Sequence, residues 1–152
     1  MTAADKYKEF KKTYEEARKQ LSEQAGQAFK EMAKELFERF PTMESFSWNQ
    51  YTPYFDDGDE CVFRVNSDAE SISINGLDGY DVEQVGYDGK TIYNPGAYPE
   101  GMSKEDSLLV YDAVAEFLNQ FDDEILLDLY GNHSTITIHR NGKAEVETYD
   151  HD

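Results

Sequence analysis

The three histidines of this chain are its clearest candidates for chemistry, and all of them lie near the C-terminal end: His133, His139 and His151. Histidine serves in acid–base catalysis and metal binding because it titrates near neutral pH. His133 and His139 are six residues apart on one predicted strand, about 20 Å at the usual rise, so they cannot share a metal ion. His151 lies beyond that strand and could approach either. No serine or cysteine stands in a nucleophile motif, so we predict no enzyme.

A second candidate site is a short turn that is rich in acidic residues: Asp56, Asp57, Asp59 and Glu60. Calcium takes six to eight oxygen ligands, but the spacing does not match an EF-hand loop, and acidic residues are common in tight turns. The glycine spacing also matches no phosphate-binding loop. We therefore predict no metal and no cofactor. Cys61 alternates with Phe63, which predicts a core position rather than a reactive thiol.

The charge of the chain is the strongest compositional signal: 32 acidic residues face 14 basic ones, a net charge of -18. Residues 1–40 hold nine bases and eight acids, whereas residues 41–152 hold five bases and 24 acids. The second part therefore carries a net charge of -19. Such a field repels nucleic acid and anionic membranes and attracts basic partners. Solubility would explain it equally well, whereas adaptation to high salt is disfavoured because ten of the 14 bases are lysine.

Tyrosines add a third candidate surface. Residues 76–102 hold six of the ten glycines and four tyrosines. Tyrosines in such a loop are typical of protein interfaces, although the rings would also serve to cover a sheet edge. Combining them with two acidic clusters, we predict these partner-binding residues: Asp56, Asp57, Asp59, Glu60, Tyr80, Tyr87, Tyr93, Asp122, Asp123 and Glu124.

A long helix over residues 5–40 organises the rest of the chain. This stretch has no proline and one glycine, and its apolar residues recur every three or four positions. Thr2 and Asp5 match a capping box, and Pro41 ends the helix. At about 1.5 Å per residue the helix would be roughly 54 Å long, which exceeds the width of such a domain. It either lies along its own sheet, the simpler interpretation, or contacts a second subunit with one end.

Two shorter helices are predicted later in the chain. Ser103 and Asp106 begin a helix that runs to Phe121, with apolar residues at helical spacing. Three consecutive acids then open a third helix, over residues 125–130, because acidic side chains favour a helix N-terminus. Gly131 is expected to end it in a positive-φ conformation.

Alternating apolar and polar residues predict strands over residues 44–54, 61–66 and 72–74. Their short connections favour a meander of three antiparallel strands. A small hairpin over residues 82–87 and 90–93 is a further candidate, because Asp-Gly at residues 88–89 is a turn signal.

The C-terminal part of the chain predicts another hairpin, with strands over residues 133–140 and 143–149. A two-residue turn between them would place Ile138 opposite a glutamate. A three-residue loop instead places Ile138 opposite Ala144. Because a slip of one residue moves a whole strand's apolar set to the wrong face, we predict the second register, with Gly142 in the left-handed conformation of a bulge.

Together these elements predict one α+β domain over residues 1–152. It consists of an antiparallel five-stranded sheet that is covered on one face by the long N-terminal helix and the second helix, with roughly 40% helix overall. A single cysteine, the lack of a long apolar run and the lack of a signal peptide predict a cytoplasmic protein.

Two stretches of the sequence resemble a known group. Residues 48–58 read W-N-Q-Y-T-P-Y-F-D-D-G, and residues 149–152 read Y-D-H-D. They resemble a group of short uncharacterised acidic proteins of bacterial and phage genomes. The resemblance covers the chain from about residue 44 onward and implies an autonomous domain, which in a phage would act in the host cytoplasm. It assigns no site residue.

Taken together, the sequence predicts a non-catalytic interaction protein whose acidic body binds a basic protein surface. One form of this hypothesis is a nucleic-acid mimic that inhibits a host nucleic-acid-binding or defence protein. Direct binding of nucleic acid or membrane is not expected. The alternative is a structural or assembly module that forms a homo-oligomer through residues 5–40.

Overall fold

The computed structural model describes residues 1–55, 57–82, 84–85, 92–93 and 97–151. Over these residues it is an α+β fold with three α-helices, α1 (Ala3–Arg39), α2 (Lys104–Asn119) and α3 (Asp123–Tyr130). The helices have 37, 16 and 8 residues, about 40% of the chain, as the periodicity predicted. No helix among the described residues is long and apolar enough to cross a membrane.

The strands of the fold are short, apart from those that form the centre of the main sheet. In chain order they are β1 (Ser45–Tyr51), β2 (Arg64–Asn66), β3 (Ser73–Ile74), β4 (Leu77–Asp78), β5 (Gln84–Val85), β6 (Ile92–Tyr93), β7 (Ser134–His139) and β8 (Ala144–Thr148). The main sheet is antiparallel, with the order β4-β3-β1-β7-β8, and β2 also pairs with β1. Strand β4 was not predicted.

The helix boundaries follow the predicted capping residues. The Thr2 hydroxyl accepts a hydrogen bond from the Asp5 amide at 3.2 Å, and the Asp5 carboxylate accepts one from the Thr2 amide at 3.1 Å. The Ser103 hydroxyl likewise accepts from the Asp106 amide at 3.1 Å at the start of α2. Gly131 follows α3 with φ of 87°, a conformation that glycine adopts without strain.

The predicted three-stranded meander is wrong. Strands β2 and β3 do not pair with each other but follow one another along the same edge of β1, where Val65 lies opposite Gln50 and Ile74 opposite Phe46. The returning strand also begins only at Arg64. Cys61 therefore lies before the strand and is partly exposed, not in the core. Alternation over three residues cannot distinguish a paired strand from an extended loop that leads into one.

The predicted register of the C-terminal hairpin is confirmed. Ile138 lies opposite Ala144, and the His139 amide donates to the Lys143 carbonyl at 2.9 Å, which leaves residues 140–142 as the loop; Gly142 has φ of 91°. Of the smaller predicted hairpin, β5 and β6 form the antiparallel pair, while its turn lies outside the described residues.

The core lies between the helices and one face of the sheet. Its centre is an aromatic cluster in which Phe29 of α1 contacts Trp48, Phe117 and Tyr130, with ring centroids 4.9 to 6.0 Å apart. The buried Gln50 joins β1 to α3, because its amide donates to the carbonyl of Gly131 at 2.7 Å and its carbonyl accepts from the Trp48 indole. Burying a polar side chain costs little free energy when all its hydrogen-bond partners are present, and the bonds then hold the two elements in one arrangement.

Candidate functional site

The predicted partner-binding residues do not form one site among the described residues. Tyr80 is exposed, as are the described acids of both clusters: Asp57, Asp59, Glu60, Asp122, Asp123 and Glu124. No hydrogen bond or ion pair joins two of these described groups. Asp56 and Tyr87 lie outside the described residues, and of Tyr93 only the backbone is described.

The second acidic cluster lies close to β2. The Asp123 carboxyl interacts with the backbone of Val65, and its pKa is raised, first by partial burial and then by the neighbouring charge of Asp122. A cation that approaches two such carboxylates lowers the electrostatic repulsion between them. This cluster, more than an isolated exposed carboxylate, is therefore suited to a basic partner.

The N-terminal half of α1 presents an apolar surface. The first 21 residues of the chain are all exposed, including four large apolar side chains: Tyr7 at 65%, Phe10 at 72%, Tyr14 at 56% and Leu21 at 56%. With Ala17 they form a stripe with steps of three, four, three and four residues, which we call the α1 stripe. Large apolar groups that recur on one helix face usually mark a contact surface.

The α1 stripe is not an extension of the face that packs on the core. At 100° per residue, the stripe centres on a direction roughly 100° away from the direction in which the core residues of α1 point. Those core residues are Phe29, Ala33, Leu36, Phe37 and Phe40. The α1 stripe therefore faces about a quarter of a helical turn away from the sheet. Even a longer sheet would not cover it.

Helix α3 holds the middle of α1 on the core side. Arg18 donates two hydrogen bonds to the Asp128 carboxylate, at 3.0 and 3.1 Å, and Ser22 donates a third at 3.1 Å. Farther along, a Cβ at Gly26 would lie only 3.2 Å from the Leu129 side chain, so the glycine permits the close approach of the two helices.

A groove separates the α1 stripe from the beginning of α3. It encloses about 250 Å³ and has two kinds of wall. The α1 wall consists of Tyr14, Ala17 and Leu21 together with Arg18, whose charge is paired with Asp128. The α3 wall includes Glu124 and Ile125. An apolar wall beside an acidic one suits an amphipathic helix with basic flanks.

A cluster of tyrosines and histidines lies at the end of the sheet where β1 and β8 finish and β7 begins. The Nδ1 of His133 and the Nε2 of His151 are 2.6 Å apart, and the two ring planes are 14° from parallel, with centroids 4.8 Å apart. Tyr54 stacks on both rings, with centroids 4.9 and 4.4 Å away, and Tyr51 contacts His151 at 4.1 Å. One of the two facing nitrogens donates a hydrogen bond and the other accepts it, so the pair links the segment after β8 to the turn between α3 and β7.

The sequence left open whether His151 approaches His133 or His139. His151 approaches His133, whereas His139 lies at the far end of β7, where its Nε2 is 3.4 Å from a Glu145 carboxylate oxygen. That contact and the Lys143 ammonium lower the pKa of Glu145, with Lys143 the larger cause. No group of three or more histidine, cysteine or acidic side chains that could hold a metal occurs among the residues described.

The tyrosine and histidine cluster joins two stretches of the chain, residues 51–54 and residues 149–151. Tyr51 and Tyr54 come from the first stretch, and Tyr149 and His151 from the second. Asn132 strengthens the junction, because its side chain exchanges two hydrogen bonds with Thr52 at 2.8 and 2.9 Å. Sequence reasoning missed the cluster, since Tyr51 and Tyr54 precede its other members by about eighty to a hundred residues and share no local pattern with them.

Comparison of the chain with family models, with curated proteins and with solved structures found no match.

Proposed function

We propose that this protein is a non-catalytic assembly module that pairs with a second copy of itself through the α1 stripe. The observation that carries the proposal is the exposure of Tyr7, Phe10, Tyr14 and Leu21 on a face of α1 that its own body does not cover. The stripe has the spacing of a two-helix seam, in which positions a and d alternate by three and four residues.

Charge supports a second copy as the occupant. Residues 41–152 carry a net charge of -19, so two bodies repel each other, whereas residues 1–40 carry +1. The helix is therefore the region through which two copies meet at the lowest electrostatic cost.

The two helices run antiparallel in this proposal, for two reasons. An antiparallel pair centred on Tyr14 places Phe10 of one copy against the small Ala17 of the other, whereas a parallel pair would place two phenylalanines together and leave two alanines facing each other. The antiparallel arrangement also keeps the two acidic bodies at opposite ends of the seam. It brings the basic start of one helix, with Lys6 and Lys8, toward the groove wall that holds Glu124 in the other copy.

Sedimentation equilibrium of the full chain over a range of concentrations tests the proposal. We expect a dimer, and we expect Phe10→Ala combined with Tyr14→Ala to weaken it by tenfold or more, because truncating a buried aromatic anchor costs about 2 kcal/mol or more. Lys12→Ala combined with Lys19→Ala is the matched control, because both lysines point away from the stripe. A monomer at every concentration would contradict the proposal.

Disulfide formation distinguishes the two orientations. In a Cys61→Ser background, Tyr7→Cys mixed with Leu21→Cys should give heterodimers cross-linked between the two positions when the helices are antiparallel. Cross-linked Tyr7→Cys homodimers would indicate a parallel pair instead, because only then do the two copies of residue 7 face each other.

A second candidate function is binding of a basic protein, including nucleic-acid mimicry that inhibits a host DNA-binding or defence protein. The exposed acids near β2 support it, as does the net charge of -19 on residues 41–152. The test is a variant in which the clustered acids become amides: Asp56, Asp57, Asp59, Asp122, Asp123 and Glu124. Binding to a basic partner should weaken and lose its salt dependence while the oligomeric state stays unchanged; binding that survives at every salt concentration would exclude this function.

A further inference from the structure

A cavity of about 370 Å³ lies between the C-terminal half of α1 and the β7–β8 hairpin. Phe29, Ala33 and Phe37 line it from α1, and Ile138 and Ala144 line it from the hairpin. Its volume falls within the range of small-molecule sites, which are mostly apolar with a few placed polar groups. It lies on the opposite side of α1 from the α1 stripe, so it is separate from the surface proposed for pairing.

The cavity is basic in a chain that is otherwise strongly acidic. Among the residues that the structure describes, three basic ones line it, namely Lys30, Lys34 and Arg140, and no aspartate or glutamate does. With 32 acidic residues in the chain, an acid-free cavity that has three cations is a local reversal of the overall charge. Such a reversal matters to a small ligand, because screening limits the influence of distant charges to about 8–10 Å.

Arg140 is a fixed part of the cavity. Its guanidinium donates hydrogen bonds to the carbonyls of Phe40 and Met43 at 2.7 Å and lies over the Phe37 ring, 5.3 Å from its centroid. A Glu44 carboxylate oxygen lies 3.9 Å from the Arg140 Nε and partly balances its charge. Arg140 therefore fixes the shape of the cavity, and its guanidinium is largely occupied by contacts within the protein rather than available to a ligand.

Lys30 and Lys34 are the groups that remain available. They are one helical turn apart on the same side of α1, both are exposed, and neither takes part in an ion pair within the described part of the chain. Two ammonium groups at this spacing can hold one carboxylate between them. Tyr130 also lines the cavity, and burial raises its pKa to about 12.

We propose that this cavity binds a small amphipathic carboxylate. The apolar part of the ligand lies against Phe29, Phe37 and Ile138, and its carboxylate is held by Lys30 and Lys34. A polyanion is disfavoured, because it would extend into the field of the acidic body. A single carboxylate on an apolar chain or ring experiences mainly the local cations and gains the hydrophobic contribution of the cavity.

Three probes with the same ten-carbon tail test the charge preference by calorimetry on the full chain: decanoate, 1-decanol and decylammonium. We expect decanoate to bind most tightly and decylammonium least. The overall charge of -18 acting alone would give the reverse order, with the cation first. Equal affinities for decanoate and decanol, or an order led by decylammonium, would overturn the proposal.

Variants then locate the site. Lys30→Gln combined with Lys34→Gln should weaken decanoate binding by about tenfold or more and leave decanol unchanged, because charge-assisted hydrogen bonds contribute at this level. Lys12→Gln combined with Lys19→Gln alters the net charge equally, away from the cavity, and should change neither probe. If both double variants weaken decanoate equally, the effect is general electrostatics and the site is wrong.

Filling the cavity is an independent test that needs no change in charge. Ala144 is exposed and lines the cavity, so Ala144→Leu should fold normally while occupying ligand space. We expect loss of both decanoate and decanol binding, with an unchanged far-UV spectrum. A variant that is folded and still binds both probes would show that they bind elsewhere.

Discussion

The two halves of α1 have the same kind of sequence and opposite surroundings. In both, apolar residues recur every three or four positions, yet Phe29 is 1% exposed and Phe10 is 72% exposed. The difference arises because the apolar direction turns by roughly 100° between the halves, so that a single flat body can cover only one of them. Helical periodicity therefore identifies an apolar face without showing whether the same molecule covers it.

The two halves also differ in how they are held. The C-terminal half is buried in a cluster of aromatic rings, and its end is fixed by Arg140. The N-terminal half is held by Arg18 and Ser22 to Asp128, and its first turn by its own cap. The free energy of local unfolding should therefore fall steeply from the C-terminal end of α1 to its N-terminal end. Substitutions at successive points along the helix measure that gradient.

The largest expected effect is at Phe29. Phe29→Ala removes the ring that contacts Trp48, Phe117 and Tyr130 and should lower the free energy of unfolding by about 3–5 kcal/mol. Phe10→Ala, the same change in the exposed half, should cost less than about 0.5 kcal/mol in the monomer. Urea unfolding at low protein concentration measures both. Equal losses would mean that the two halves are packed alike.

A smaller effect is expected at the C-terminal end of α1. Arg140→Met keeps the apolar stem but leaves the carbonyls of Phe40 and Met43 without their donor, which should cost roughly 2 kcal/mol. Arg140→Lys restores the charge without the planar fork and should recover only part of the loss. Full recovery by lysine would show that charge alone, rather than the hydrogen bonds, holds this end.

The contact in the middle of α1 should contribute less. The ion pair between Arg18 and Asp128 is exposed to solvent, so Arg18→Ala should cost less stability than Arg140→Met, and the cost should shrink as salt is added. Lys19→Ala, at the neighbouring exposed position, is the control. A loss that does not depend on salt would assign the effect of Arg18 to packing of its stem.

The smallest effect is expected at the N-terminal cap. Thr2→Ala should leave global unfolding unchanged and speed hydrogen exchange only in the first turn, at Asp5 and its neighbours, because this end is exposed. Hydrogen bonds from Thr2 lower the pKa of Asp5, so the cap should be intact above the ordinary aspartate pKa and should be lost as the pH falls through the lowered value. A global loss of stability would contradict the gradient.

Local rules were enough for several features. The caps at Thr2 and Ser103 and the register that pairs Ile138 with Ala144 depend on residues close together in sequence, and all were predicted. Features that depend on distant partners were not. The path of β2 and β3 along one edge of β1 and the contact of His133 with His151 depend on which elements meet in three dimensions.

By itself, the sequence determined the long helix, the α+β class and the uneven distribution of charge, because periodicity, capping and composition act over a few residues or over whole segments. Only the tertiary structure decided which face of α1 is covered, where the tyrosines and histidines meet, and which three of the basic residues surround a cavity. These outcomes follow from packing, since the direction of an apolar face becomes meaningful only when the body against which it packs has been placed.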